Sequence, residues 1–222
     1  ADSGDFRDVR ELKEKNYFFK MSNYQEKLVE HIHENPSFIQ PEHRKNEVLG
    51  FLRSPLEDLC ISRPKSRLSW GIEIPFDKDY VTYVWFDALI NYISAIGYES
   101  NQDKYKTYWP VDFHLIGKDI LTTHSVYWPT MLMSAELPLP KAIFAHGWWL
   151  SDQTKMSKSL GNVVDPLDLI DTYGVDPIRF YLMKEMVLGQ DANFSMDSFI
   201  KCYNSDLAND LGNLLSRVTN LI

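Results

Sequence analysis

The stretch Phe113-His114-Leu115-Ile116-Gly117-Lys118-Asp119 decides the fold. A short apolar run ends at a glycine, and a helical pattern then runs from Asp119 to about Ala135, with Pro129 expected to kink it. The same rhythm recurs on both sides. Upstream, Val81 to Trp85 reads as a strand, followed by Phe86, Leu89, Ile90, Ile93 and Ile96 at helical spacing and a stop at Gly97. Downstream, Ala142 to Ala145 reads as a third strand ending in His146-Gly147. Strands and helices alternating over connections of this length predict an α/β fold with a doubly wound parallel sheet and helical flanks.

Around this centre the signals are helical. Ser22-Asn23-Tyr24-Gln25 has the form of a capping box, opening a helix with Tyr24, Leu28, Val29 and Ile32 on one face and stopping at Asn35-Pro36. A second helix starts with Pro41 in its first turn and is expected to bury Val48, Leu49, Phe51 and Leu52. Residues 54–80 read as irregular, and the first 20 residues as a polar lead-in. Beyond a loop at 150–164, Asp165-Pro166 and Asp176-Pro177 each read as an N-cap followed by proline. From Ser195 an apolar stripe (199, 200, 203, 207, 211, 214, 215, 218, 221, 222) continues to the last residue without a stop, as in a truncated C-terminal helical domain.

With 222 residues, 44% of them hydrophobic, the chain can bury a core, which excludes disorder. Its two cysteines, Cys60 and Cys202, make no paired motif and suit a reducing, cytoplasmic setting. No run approaches the roughly 18 apolar residues of a membrane span, so no membrane partner is expected. A formal charge of −8 means that a nucleic acid would be met at a local site and not by bulk attraction.

The strongest chemical signal is Lys155-Met156-Ser157-Lys158-Ser159-Leu160-Gly161-Asn162. Two lysines three apart among small residues suit a loop that brings ammonium groups to a polyphosphate, where they stabilise developing charge. Two arbitrary lysines are more often a solvated basic loop; the full pentapeptide is far more specific. Gly117-Lys118-Asp119 stands at the carboxyl end of a strand, the edge at which open α/β sheets bind ligands. There Gly117 lets backbone approach a sugar or phosphate, and Asp119 either accepts from ribose hydroxyls or simply caps its helix. A Walker-type loop is excluded, because Asp112 stands where its first glycine would be. Trp85, Tyr92, Trp128, Trp148 and Trp149 read as one aromatic cluster, either core or the wall of a pocket for a thioether side chain. His124 by itself reads as a hydrogen-bonded core residue, and His31-x-His33 as a wet helix face, so no metal site is expected.

The lysine loop resembles the Lys-Met-Ser-Lys-Ser signature of class I aminoacyl-tRNA synthetases. From about residue 16 to 222 the chain resembles the bacterial-type methionyl-tRNA synthetase family. The stretches that carry this are Glu14 to Phe19, Leu59 to Arg63, Tyr83 to Ala88, His114 to Leu121, Tyr127-Trp128-Pro129, His146 to Trp149 and Lys155 to Pro166. The resemblance implies the second half of a Rossmann-type catalytic domain. Its expected parts are residues 1–62, the end of a connective insertion; 63–150, the half-sheet; 151–194, the lysine loop and stem-contact region; and 195–222, the start of an anticodon-binding helical domain.

It also implies site residues. Methionine would meet Trp85, Ala88, Leu89, Tyr92, Ile120 and His124, although some members carry proline at the Leu89 position and an aromatic residue at that of Thr123. ATP, with Mg2+, would meet Gly117, Asp119, His146, Gly147, Lys155 and Lys158, of which Asp119 and the two lysines would serve catalysis. Arg63 and Trp128 would support the site, and Asn213 and Arg217, four apart on the last helix, would read the anticodon or be merely exposed. The family's His-x-Gly-His motif and zinc knuckle are absent from this sequence. The implied function is therefore part of a methionine–tRNA ligase, which activates methionine with ATP and transfers it to tRNA(Met), inactive without an N-terminal half. A non-catalytic methionine- or tRNA-binding paralogue, or a synthetase for another aliphatic amino acid, are the alternatives.

Overall fold

The computed structural model describes residues 13–151 and 153–221; most of the polar lead-in and position 222 of the apolar stripe lie outside them. In chain order the strands are β1 (Phe18–Phe19), β2 (Ile39–Gln40), β3 (Leu59–Cys60), β4 (Ser62–Pro64), β5 (Glu73–Ile74), β6 (Asp77–Thr82), β7 (Phe113–Gly117), β8 (Ala142–His146), β9 (Trp149–Ser151), β10 (Thr154–Lys155) and β11 (Ala192–Phe194). The helices are α1 (Gln25–Glu34), α2 (Glu42–Phe51), α3 (Val84–Ser94), α4 (Gln102–Tyr108), α5 (Trp128–Ser134), α6 (Pro166–Tyr173), α7 (Val175–Glu185), α8 (Met196–Cys202) and α9 (Gly212–Thr219). The chain divides into two compact units. One takes the residues up to Asn35, Leu49–Val111 and Thr123–Pro140; the other takes Pro36–Val48, Asp112–Thr122 and everything from Lys141.

In the first unit, residues 54–80 are not irregular. They build an antiparallel sheet of order β4-β6-β5, and β3 pairs with β1. The strand expected at Val81 to Trp85 is correspondingly β6, and Trp85 lies in α3. The Pro75-Phe76 turn doubles the chain straight back from Ile74 to Asp77, and so short a connection permits only antiparallel pairing. The capping box does not form. Ser22 Oγ donates to Asp58 Oδ1 at 2.6 Å, and the Gln25 carboxamide bonds Leu52 O, Ser54 O and the Leu56 N–H at 2.8–2.9 Å. Tertiary partners outcompete the local ones. α1 buries Leu28 and Ile32, one turn apart, and α2 buries Val48 but leaves Phe51 exposed.

α3 ends as expected at Gly97, whose φ of +91° suits glycine, with the Tyr98 N–H bonded to Ile93 O at 3.1 Å. Its inner face joins Tyr105, Trp109, Trp128, Met131 and Leu132 in the core of this unit. The single helix expected from Asp119 to Ala135 is instead a 3-10 turn (Lys118–Ile120), a π-type turn (Thr123–Tyr127) and α5. Pro129 has no N–H to donate, so it falls in the first turn of a new helix instead of kinking an old one.

In the second unit the parallel sheet has the order β2-β8-β7. β7, at the edge of this sheet, is half-buried, with His114 and Ile116 inside and Phe113 and Leu115 exposed, because successive side chains point to opposite faces. A second sheet, β10-β9-β11, follows. Asp165 caps α6 by accepting from the Leu167 N–H at 2.8 Å. Asp176-Pro177 is not a cap: Gly174, with φ +84°, precedes the helix, and Asp176 and Pro177 lie in the first turn of α7. Ser195 caps α8, and helix continues through π-type turns (Tyr203–Leu211) into α9. Ile178, Tyr181, Phe194, Phe199 and Cys202 form the core of this unit.

Candidate active site

Positions 85, 88, 89 and 92 recur at helical spacing and share one face of α3. Leu89 is buried, Trp85 is half-buried, and Ala88 and Tyr92 reach the surface. The Tyr92 hydroxyl lies 2.8 Å from His124 Nε2, with the two rings edge to face at 5.6 Å. Trp128 lies 6.0 Å from Tyr92 and packs edge-on against Trp109 at 5.9 Å. Burial raises the pKa of Tyr92, which keeps its hydroxyl protonated. His124 is 3% exposed and sits in the π-type turn, where the widened helix re-aims side chains. The result is an aromatic wall with one polar handle, a surface suited to a thioether. An apolar cavity of about 510 Å³ on the other side of α3 is lined by Phe19, Phe86, Ile90, Ile93, Trp128 and Met131 among others; none of the residues expected to meet methionine lines it. Arg63 donates to Ser62 O at 2.9 Å, and its guanidinium lies 4.4 Å over the Tyr83 ring.

In the second unit, β7 and β8 run in register so that Gly117 faces His146. A Cβ on Gly117 would lie 2.7 Å from Asp119 Oδ1, so a side chain there would push that carboxylate aside. Gly147 is tighter: a Cβ there would fall 2.1 Å from the Gln190 carbonyl oxygen. His146 Nδ1 lies 2.7 Å from Gly147 O. Trp148 Nε1 donates to Asp119 Oδ1 at 3.4 Å, and its backbone N–H donates to Asp191 Oδ1 at 2.9 Å. Asp191 also pairs with Lys118 at 2.7 Å, which holds its carboxyl below the usual aspartate range.

The lysine loop leaves the β9–β10 hairpin. Asn162 braces it, accepting from the Ser157 N–H at 2.8 Å and donating to Lys155 O at 3.2 Å. Lys155 Nζ lies 4.0 Å from the Trp148 ring centroid. Lys158 is placed in a 3-10 turn (Lys158–Leu160); its side chain lies outside what is described.

Each unit therefore gathers part of the expected set. Tyr92, His124 and Trp128 come together beside Trp85, Ala88 and Leu89 in one; Gly117, Asp119, His146, Gly147 and Lys155 belong to the other, as does Ile120, and there Asp119 and Lys155 reach the Trp148 side chain. The five aromatics expected as one cluster divide, for Trp149 packs on Tyr181 at 6.0 Å and Trp148 takes up lysines. Asn213 and Arg217 are both exposed on α9. Sequence reasoning missed Lys118, Asp191 and Asn162 as parts of this edge. Lys118 and Asn162 stood inside quoted motifs, whereas Asp191 carried no local signal at all.

Parallel strands here present paired glycine turns at their carboxyl ends, with a braced lysine loop beyond them, and the carboxyl edge is where open α/β sheets generally bind ligands. Residues 6–219 match the family described as tRNA synthetases class I (M), and the chain belongs to that family. It is 56% identical over 218 residues to the methionine–tRNA ligase of Clostridium acetobutylicum, covering 97% of this chain and 34% of that protein. The Rickettsia conorii methionine–tRNA ligase is 51% identical over 214 residues, covering 96% of this chain and 42% of that protein. Among solved structures, Mycobacterium tuberculosis methionyl-tRNA synthetase bound by methionyl-adenylate superposes with a TM-score of 0.86 at 48% identity, covering 92% of this chain and 40% of the other. The chain thus spans about a third of the length of the first of these relatives.

Proposed function

We propose that this chain is the later part of the catalytic domain of a methionine–tRNA ligase, whose complete form joins methionine and ATP into methionyl-adenylate and passes the methionyl group to the terminal ribose of tRNA(Met). The observation that carries this reading is the convergence on Trp148: Lys155 of the loop lies 4.0 Å from its ring, and its indole N–H reaches Asp119 of the Gly-Lys-Asp turn. In the reaction the methionine carboxylate attacks the α-phosphate and pyrophosphate leaves, so no side chain need act as nucleophile. The protein supplies position and charge. Gly117 brings its backbone close to the nucleotide, Gly147 keeps the adenine turn packed on Gln190, Asp119 and His146 hold ribose and adenine, and Lys155 and Lys158 meet the triphosphate. Trp85, Ala88, Leu89, Tyr92, Ile120 and His124 receive the methionine side chain, with Arg63 and Trp128 in support. Asn213 and Arg217 face the anticodon.

Among the described residues no group of three or more histidine, cysteine or acidic side chains could hold a metal ion. Mg2+ would accompany the triphosphate of ATP. The domain boundaries at 62, 150 and 194 follow from this reading, as do a partner region carrying His-x-Gly-His and a cytoplasmic setting. Methionine-dependent ATP–pyrophosphate exchange by the full-length protein tests it. Lys158→Ala should slow activation by about 10²–10³-fold with methionine KM unchanged. An unchanged exchange rate in that variant overturns the assignment of the loop.

A further inference from the structure

Trp148 carries two cations. Lys155 Nζ lies 4.0 Å and Lys118 Nζ 4.1 Å from the same ring centroid. Each ammonium is attracted by the negative face of the indole, but the two repel one another unless one is neutralised. Asp191 does this, with Oδ2 2.7 Å from Lys118 Nζ, while its Oδ1 holds the Trp148 backbone N–H. The segment around Asp191 also secures the hairpin that bears Lys155. The Ala192 N–H bonds Trp148 O at 2.9 Å, β11 pairs with β9, and the Gln153 N–H bonds Asn193 Oδ1 at 2.6 Å. Gly147, packed on the Gln190 carbonyl, leaves the ring little freedom to shift along the chain.

We propose that Trp148 is a positioning residue for adenylate formation: its indole is the rest from which Lys155 is delivered to the triphosphate, and Asp191 holds that indole in place. This rests on the reading above that Lys155 meets ATP. The chemistry favours such a rest. A cation–π contact localises an ammonium without a counter-ion, so phosphate oxygens can take it without first breaking a salt bridge. Lys118, already paired, stays behind as a fixed neighbour.

The test uses the full-length protein. Trp148→Leu should lower the exchange rate about three- to tenfold, with methionine KM unchanged, and Trp148→Phe, which keeps a π face, should recover most of the loss. In Lys155→Ala the same Trp148→Leu change should add nothing, because the contact is already gone. The indole N–H resonance of Trp148, identified by its absence from Trp148→Phe, should move in Lys155→Ala, a readout that needs neither activity nor a change at Trp148. An unmoved resonance, a Phe variant as slow as the Leu variant, or losses that multiply in the double variant would each overturn the proposal. If the wild-type protein shows no methionine-dependent exchange, the functional reading falls, and the resonance still decides whether Lys155 rests on Trp148.

Discussion

Tyr92 and His124 are separated by 32 residues, and each reads differently alone than together. In the sequence, His124 is a lone histidine on an apolar helix. In the fold its ring is bonded to a phenol whose pKa is raised, so the pair presents a hydrogen-bonded edge. Tyr92→Phe removes that bond at a net cost of about 0.5–1.5 kcal/mol. His124→Ala should cost about 1–3 kcal/mol, because it removes a buried side chain together with that bond. Both losses should fall more heavily on methionine than on a shorter apolar analogue in exchange assays with the full-length protein. Equal losses for the two substrates would reduce these residues to core packing. Asp191 gives a pH prediction. Its pKa is depressed in the fold, chiefly by Lys118 and then by the Trp148 N–H, so its contribution to stability is present above the ordinary aspartate value of about 3.9 and is lost as pH falls through the lower folded value. Urea midpoints taken from pH 5 to pH 3 should therefore fall more steeply for the wild type than for Asp191→Asn.

Among the elements, the two glycine turns at the ends of β7 and β8 look alike in sequence and differ in what surrounds them. A methyl group on Gly147 would strike the backbone oxygen of Gln190, which cannot rotate away, and Gly147→Ala should cost about 1–3 kcal/mol of stability in urea unfolding. A methyl on Gly117 meets only a carboxylate oxygen of Asp119, the free end of a side chain. Gly117→Ala should fold nearly as well as the wild type while raising ATP KM, because the displaced group is the one proposed to hold ribose. The helix before α5 shows the same dependence on context. In the sequence Pro129 reads as a kink and not as the first turn of a new helix, and the widening over Thr123–Tyr127, which carries His124, leaves no local signal. Thr130 Oγ1 takes up the Val126 and Tyr127 carbonyls at 2.8–2.9 Å near the point where Pro129 offers no donor.

At the scale of the whole molecule, large apolar side chains are exposed among the described residues, on a sheet edge and on the last helical segment among other places. Phe113 and Leu115 are 56% and 70% exposed on the edge strand of a parallel sheet, an element normally covered on both faces. Leu211, Leu214, Leu215, Val218 and Leu221 are exposed along the final helical segment. The chain spans a third of the length of relatives such as the C. acetobutylicum ligase. On the function proposed above, this chain by itself should be silent in methionine-dependent exchange and active once a region carrying His-x-Gly-His is supplied. Exchange by the isolated chain would show that it already holds a complete site. No helix among the described residues is long and apolar enough to cross a membrane.

By itself the sequence determined the α/β class, the strands ending at Gly117 and Gly147, the cap at Asp165, the stop at Gly97 and the lysine loop. Those features depend on local chemistry: a glycine's freedom, a proline's missing donor, a carboxylate over free N–H groups, a period of apolar residues. Tertiary structure decided the rest. It made residues 54–80 a sheet, because antiparallel pairing of short strands follows from turn geometry more than from apolar period. It sent Ser22 and Gln25 to distant partners in place of each other. It divided the aromatic residues between two cores, and it brought Asp191 to Trp148 and Lys118. A hydrogen bond or ion pair across 43 or 73 residues leaves no periodicity to read, since its partners are chosen by packing that only the folded chain supplies.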